Sequence, residues 1–315
     1  MATPPDPSID RDPAADPRAA SGDHHRAGLF YLFVLYTVWS TTYLAIRIAV
    51  TPGSGFPPFT MSGLRLLLAG VLLGVLARLG RRSLRVTRRD AATVVASGLL
   101  LWIGGNGMVT WAEQYASSGY AALLIGAMPI WTSVMEAILD RRWPSPLLAA
   151  SLVVGFAGVA VLTIPEVRDA TPSALWAVGA LLVAPISWGA GAVLQARRGL
   201  ATSPLVSATW QQIAGAAGFL LLAALAAEPA PAPSSAAVGA WLYLAVVGGL
   251  AFYAFVQAMQ ILPTRVVMTY AYVNPVGAAI LGWLVLDEPI RWWTVLGAGL
   301  VIAGVAGVFH ERFRA

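Results

Sequence analysis

The chain has 315 residues, 58% of them hydrophobic and only 11% charged, with a mean hydropathy of +0.71, which is more apolar surface than a soluble fold of this size can bury. The absence of cysteine excludes disulfides, thiolate metal sites and cysteine nucleophiles. The net charge of +5 rests on arginine without any lysine, and the arginines punctuate apolar runs instead of forming the patch that a nucleic acid would need.

In chain order, Met1–Ala27 is rich in Pro, Asp and Ala and shows no periodicity, which predicts a disordered cytoplasmic tail. Its mixed charges, and the lack of a small-residue cleavage site after it, distinguish it from a signal peptide. Crossing the hydrocarbon core takes about 20 apolar residues. Ten segments meet that requirement: 28–50, 59–79, 91–113, 118–139, 147–164, 174–194, 205–226, 238–260, 265–286 and 292–309. Turn-formers separate them, among them Pro52-Gly53, Pro57-Pro58, Pro144, Pro165, Pro172, Pro204, Pro263 and Pro289.

Arginine placement predicts the orientation. With the N-terminus in the cytoplasm, the inner segments carry sixteen arginines and the outer loops only Arg168 and Arg291. Both termini are therefore expected to be cytoplasmic, with 310–315 as a second short tail. Arginine as the sole strong base, beside abundant Ala and Pro, fits a GC-rich bacterial genome and hence a bacterial inner-membrane location.

The two halves match at a shift of 146 residues, which pairs Arg65 with Gln211, Gln114 with Gln260, Pro129 with Pro275 and Gly158 with Gly304. Helices 1 and 6 match at a slightly different shift, pairing Trp39 with Trp188. Five spans per half is an odd number, so the second half must be inverted in the membrane. The expected fold is an all-α integral membrane protein: ten transmembrane helices as two inverted five-helix repeats, 28–165 and 174–309.

Further pieces sharpen this. The first half has Trp39-Ser40, Arg65-Leu66-Leu67-Leu68-Ala69 and Tyr115-Ala116-Ser117-Ser118-Gly119 leading to Met128-Pro129. The second has Trp188-Gly189, Gln211, Asn274-Pro275-Val276 and Leu286-Asp287-Glu288-Pro289. In this order and spacing the chain resembles the drug/metabolite transporter superfamily, EamA type, from Leu29 to Phe309. The resemblance implies an exporter of metabolites or drugs with a central cavity between the repeats. One departure is Arg142, which stands where the matching helix end would carry an acid.

Ionisable residues within spans are candidates for function. Arg47, Arg65 and Glu113 are expected in the outer half of the membrane. Two readings stand for them. Arg65 would hold a substrate carboxylate while Glu113 changes protonation as the coupling residue. Alternatively, the three form a structural ion pair that staples helix 3 to helix 1 or 2. Glu136 lies near the cytoplasmic end of helix 4, where water is within reach.

Polar stripes at helical spacing run along helix 1 (Tyr36, Ser40, Tyr43, Arg47), helix 3 (Asn106, Thr110, Glu113, Gln114), helix 8 (Tyr253, Gln257, Gln260) and helix 9 (Tyr270, Asn274). Facing lipid would be costly for them, so they are expected to point inward, either to a shared cavity or to interhelical hydrogen bonds. Trp39 and Trp188 would flank a ligand or fill a helix contact, and Gln211, matched to Arg65 by the repeat, is a further candidate for the cavity. Pro129 and Pro275 are candidate hinges, since an internal proline frees a carbonyl and bends the helix. Gly104-Gly105-Asn106-Gly107 lies inside a span, with no strand before it, and does not read as a phosphate loop.

The function expected is secondary transport, with small metabolites such as amino acids or related amphipathic compounds exported by alternating access. Efflux of drugs or cationic compounds is the alternative, ahead of a channel or a membrane-embedded enzyme. The histidines, His24, His25 and His310, all lie in the tails, and Glu113 and Glu136 are placed near opposite faces, which argues against catalysis. No cofactor or metal is expected, and without lysine there is no Walker motif for ATP. The expected partners are a small-molecule substrate and the lipid bilayer, with protons as a coupling ion and a homodimer as open alternatives, and no nucleic acid.

Overall fold

Inside a bilayer the backbone must satisfy its own hydrogen bonds, so apolar runs of this length become helices. The computed structural model describes residues 17–141, 143, 145–168, 171–262, 264–267 and 270–314, and every regular element among them is helical. In the first half these are α1 (Pro17–Val50), α2 (Pro58–Leu79), α3 (Arg88–Ala112), α4 (Ser118–Leu139) and α5 (Pro146–Arg168). In the second half they are α6 (Pro172–Arg198), α7 (Pro204–Leu225), α8 (Ser235–Ile261), α9 (Tyr270–Leu286) and α10 (Trp292–Arg314). Eight contain stretches of at least 18 residues apolar enough to span a membrane, and Val273–Leu286 and Trp292–Gly307 supply two shorter apolar helices.

Proline and small hydroxyl residues set the starts. Thr87, Ser117, Thr171 and Ser234 each accept a backbone N–H from the first turn of α3, α4, α6 and α8. Prolines sit in the first turns of α2, α6 and α7, where a missing N–H costs nothing.

Two boundaries differ from expectation. Helix α1 begins at Pro17, ten residues inside the segment read as a tail, and α10 continues to Arg314 through the segment read as the second tail. A helix already nucleated in the membrane can extend into water one residue at a time, because propagation is far easier than initiation. Residues 1–16 and Arg142 lie outside the described residues.

The two five-helix halves interlock. α2 packs along α7, and α5 along α10, so each of these contacts joins one repeat to the other. The α5–α10 contact is close enough to require glycine. A Cβ at Gly158 would lie 2.6 Å from the backbone N of Val301, and one at Gly304 would meet the backbone of Gly155. These two glycines are the pair matched by the internal repeat, and they let the helices meet backbone to backbone.

Two helices depart from α geometry at corresponding places. Leu100–Gly107 in α3 and Leu244–Gly248 in α8 are π-helical, and a shift near 146 brings them together. The first contains the Gly104-Gly105-Asn106-Gly107 run, so the glycines widen a helical turn within the span. Helix α4 breaks at Gly126–Ala127 and restarts at Met128, so Pro129 occupies the first turn of the new segment and bends nothing itself. Pro275 lies inside continuous α9. Pro185 is likewise inside α6.

Candidate functional site

Both π segments line one cavity at the interface of the halves, with a volume of about 70 Å³. That is room for several waters, which are stable only where polar groups receive them. Trp39 and Tyr43 of α1 line it, with Arg65 of α2, Asn106 of α3, Trp188 of α6, Gln212 of α7 and Tyr270 of α9. The wide turns contribute Gly105 and Gly248, and Gly249 follows at once, so that backbone stands in the wall. π-Bulges occur disproportionately at functional sites.

Aromatic rings form one wall. Trp39 and Trp188, the pair matched by the repeat, meet edge to face with centroids 5.6 Å apart. Tyr270 stands 4.8 Å from Trp39, and Phe255 lies 5.3 Å from it. Trp102 joins through Trp188 at 6.1 Å and Phe252 at 4.7 Å. These tryptophans fill a helix contact and also line the cavity.

The opposite wall is polar and incompletely satisfied. Arg65 is 4% exposed, donates to Asn106 Oδ1, and lies 5.9 Å over the Trp102 ring. Its Nε has no hydrogen-bond partner, nor does the indole N–H of Trp102 or Oε1 of Gln212. Buried polar groups are almost always paired. Several such atoms, the Trp188 indole N–H among them, belong to the residues that line this one cavity.

Glu113 stands beside this site at the end of α3, fully buried, with neither carboxylate oxygen hydrogen bonded. The structural ion-pair reading fails here. Arg47 donates to the main-chain carbonyl of Glu113, and Arg65 to Asn106. The ion pair found among the described residues is Arg197–Asp140, at 2.7 Å near the surface.

Other stripe residues are used as interhelical or local bonds. Ser40 donates to the Tyr36 carbonyl at 2.6 Å and to Asn274 Oδ1 at 3.3 Å. Thr110 donates to the Asn106 carbonyl at 2.9 Å, and Gln114 to the Trp111 carbonyl at 3.0 Å. Tyr253 and Gln257 bond each other, and Gln260 is exposed. Gln211 is buried against Ser97 and Gln195, away from the cavity lining. Glu136 is half-buried near the end of α4.

Sequence reasoning missed Gln212 and Trp102. Gln212 is hidden by its neighbour: the repeat pairs Arg65 with Gln211, yet a one-residue step turns a helix by about 100°, and it is Gln212 that faces the cavity. Trp102 was legible, lying one turn before Asn106 and Thr110 on the same stripe.

The acidic signature acquires a definite structural job. Glu288 accepts from Ser118 N at 2.8 Å, Ser118 Oγ at 2.8 Å and Gly119 N at 3.1 Å, so it caps α4 from the end of α9. Glu228, just past α7, does the same for α2, accepting from Phe59 N at 3.0 Å and from Thr60 N and Oγ1, both at 2.7 Å. Carboxylates favour helix N-termini because four N–H groups there lack partners and the dipole is positive. Each cap joins one repeat to the other.

The family model for EamA-like transporters matches residues 26–164 and again 175–310. The chain belongs to the EamA-like transporter family. It is 32% identical over 287 residues to the uncharacterized inner membrane transporter YedA of Escherichia coli K12, covering 90% of each chain. It is 26% identical to the uncharacterized transporter YoaV of Bacillus subtilis, over 85% of this chain and 91% of that one. A probable terminal-alkyne amino-acid exporter of Streptantibioticus cattleyicolor is 27% identical, over 87% of this chain and 90% of its own. A solved crystal structure superposes with a TM-score of 0.66 at 21% identity, covering 91% of this chain and 99% of that one, and shares its fold. This EamA-like transporter is thus a membrane carrier of small molecules, built from two repeats of one unit.

Proposed function

We propose that the protein exports small amphipathic metabolites bearing a carboxylate, amino acids and related compounds above all, by alternating access between the two repeats, with both termini in the cytoplasm. The observation that carries this reading is Arg65: a buried guanidinium on the cavity wall, with an unpartnered N–H, beside aromatic rings. Guanidinium donors match a carboxylate. The Trp102 N–H adds a second donor, Gln212 Oε1 is free to accept from an ammonium, and Trp39, Trp188 and Tyr270 offer an apolar face for a side chain. The amino-acid exporter among the relatives supports the same class.

In this reading Glu113 is the coupling residue. A bare buried carboxylate is costly when charged, and taking up a proton removes that cost. Pro275 and the α4 break at Gly126–Ala127 are the hinge candidates, since each interrupts the ladder of a helix at the repeat interface.

Efflux of aromatic cations is the second reading, favoured by the aromatic wall, which can hold a cation over ring faces. Arg65 opposes it by placing a positive charge in the same space. Counterflow in proteoliposomes with labelled amino acids separates the two. Saturable uptake that unlabelled carboxylates compete away, and quaternary amines do not, is expected. The reverse order of competition would replace the proposal with cation efflux.

A further inference from the structure

A groove on the lipid-facing surface runs between α2 and α7, with a volume of about 530 Å³. Gly70, Gly74, Val75 and Ile213 give it an apolar floor and sides, and Arg78 closes it at the end of the bundle that carries the chain termini. Trp210 fixes its rim: the exposed indole donates to the Leu84 carbonyl at 3.0 Å, pinning the segment after α2 against α7. The groove therefore has a defined depth and a charged mouth.

The mouth is strongly basic. Arg78, Arg81, Arg82, Arg85, Arg88 and Arg89 all lie within a dozen residues of one another, and all six are exposed. None of them forms an ion pair among the described residues. A second lipid-facing groove, between α4 and α6, ends at Arg197 and Arg198, but Asp140 already neutralises Arg197 at 2.7 Å. Topology explains why arginines gather at this end of the bundle. It does not require an apolar groove to end on Arg78, with five more exposed arginines in the next eleven residues of the chain.

We propose that the α2–α7 groove is a binding site for an anionic phospholipid, with one acyl chain along Gly70, Gly74 and Ile213 and the phosphate on Arg78 and its neighbouring arginines. Any lipid can fill an apolar groove. Selectivity for an anionic headgroup comes from the arginines, whose positive charge attracts anionic lipid at a membrane surface. Because α2 and α7 belong to different repeats, an occupied groove would also brace their contact.

The test uses the full-length protein in nanodiscs of phosphatidylcholine alone or with phosphatidylglycerol, read by thermal unfolding and by native mass spectrometry of retained lipid. A ligand that binds only the folded state raises stability by mass action. Wild type is expected to retain phosphatidylglycerol in preference to phosphatidylcholine and to gain stability from it. Arg78→Gln combined with Arg81→Gln should abolish the preference. Gly74→Leu should reduce retention of both lipids by filling the groove; a Cβ there meets Thr209 at an ordinary 3.4 Å. Arg291→Gln, at the opposite end, should change nothing. Equal retention of the two lipids by wild type would overturn the proposal, as would an unchanged preference in the double arginine variant. Transport activity enters none of these readouts, so the lipid site stands or falls separately from the substrate reading.

Discussion

Glu288 and Glu113 lie in the same half of the bundle and serve opposite ends. Glu288 receives three hydrogen bonds from the start of α4, and Glu228 repeats the arrangement on α2. Glu113 is buried, with both oxygens bare. A satisfied carboxylate at a helix start is accounted for by the stability it brings. An unsatisfied one detracts from stability, so it persists for another reason. The same division runs through the polar stripes: Ser40, Thr110 and Tyr253 are spent on bonds within the protein, while Arg65, Gln212 and Trp102 line the cavity and each keeps an unpartnered atom.

Substitutions can break this division. The largest effect on transport is expected for Arg65→Gln. Loss of a charge-assisted bond of about 1.5–3 kcal/mol lowers substrate affinity by about 10- to 150-fold, measured by counterflow, while thermal stability holds. If affinity is unchanged, Arg65 belongs with the structural residues. Glu288→Ala should do the reverse. It removes a cap, for a stability loss of about 1–2 kcal/mol, visible as a lower unfolding temperature, with transport per folded molecule preserved. Glu228→Ala should match it, because the geometry at α2 is the same.

The adjacent glutamines give the finest comparison. Gln212→Leu should weaken substrate binding by about 1 kcal/mol, roughly fivefold, by removing one neutral hydrogen bond. Gln211→Leu should leave binding alone and reduce stability by about 1.2 kcal/mol, two interhelical bonds at the membrane average of about 0.6 kcal/mol each. Identical effects from the two would mean that the cavity wall is misassigned on α7.

The architecture was legible because lipid imposes it. Ten apolar runs, proline-marked joints and the 146-residue repeat carry the fold in their periodicity, and the Gly158–Gly304 match anticipated a real helix contact. The site was legible only in part. Trp39, Tyr43, Arg65, Asn106, Trp188 and Tyr270 were anticipated and line the cavity, since each stands on an inward helix face. The repeat pairs Gln211 with Arg65, but the two halves do not present equivalent positions to the cavity, so on α7 it is the neighbouring Gln212 that lines it. Glu288 stood out in the resemblance without a role, because its partners, Ser118 and Gly119, lie 170 and 169 residues away and only folding brings them together. The π turns were invisible as such. The glycine-rich run in α3 marks where one forms, but α8 carries only Gly248-Gly249 at the corresponding place.

The most direct test of the division is Glu113→Gln measured beside Glu288→Gln, each assayed for gradient-driven uptake, counterflow and unfolding temperature in the same proteoliposome preparation. Glu113→Gln is expected to unfold no earlier than wild type, to keep counterflow and to lose the component driven by a proton gradient, while Glu288→Gln unfolds earlier and keeps that component. Undiminished gradient-driven uptake in Glu113→Gln would contradict it.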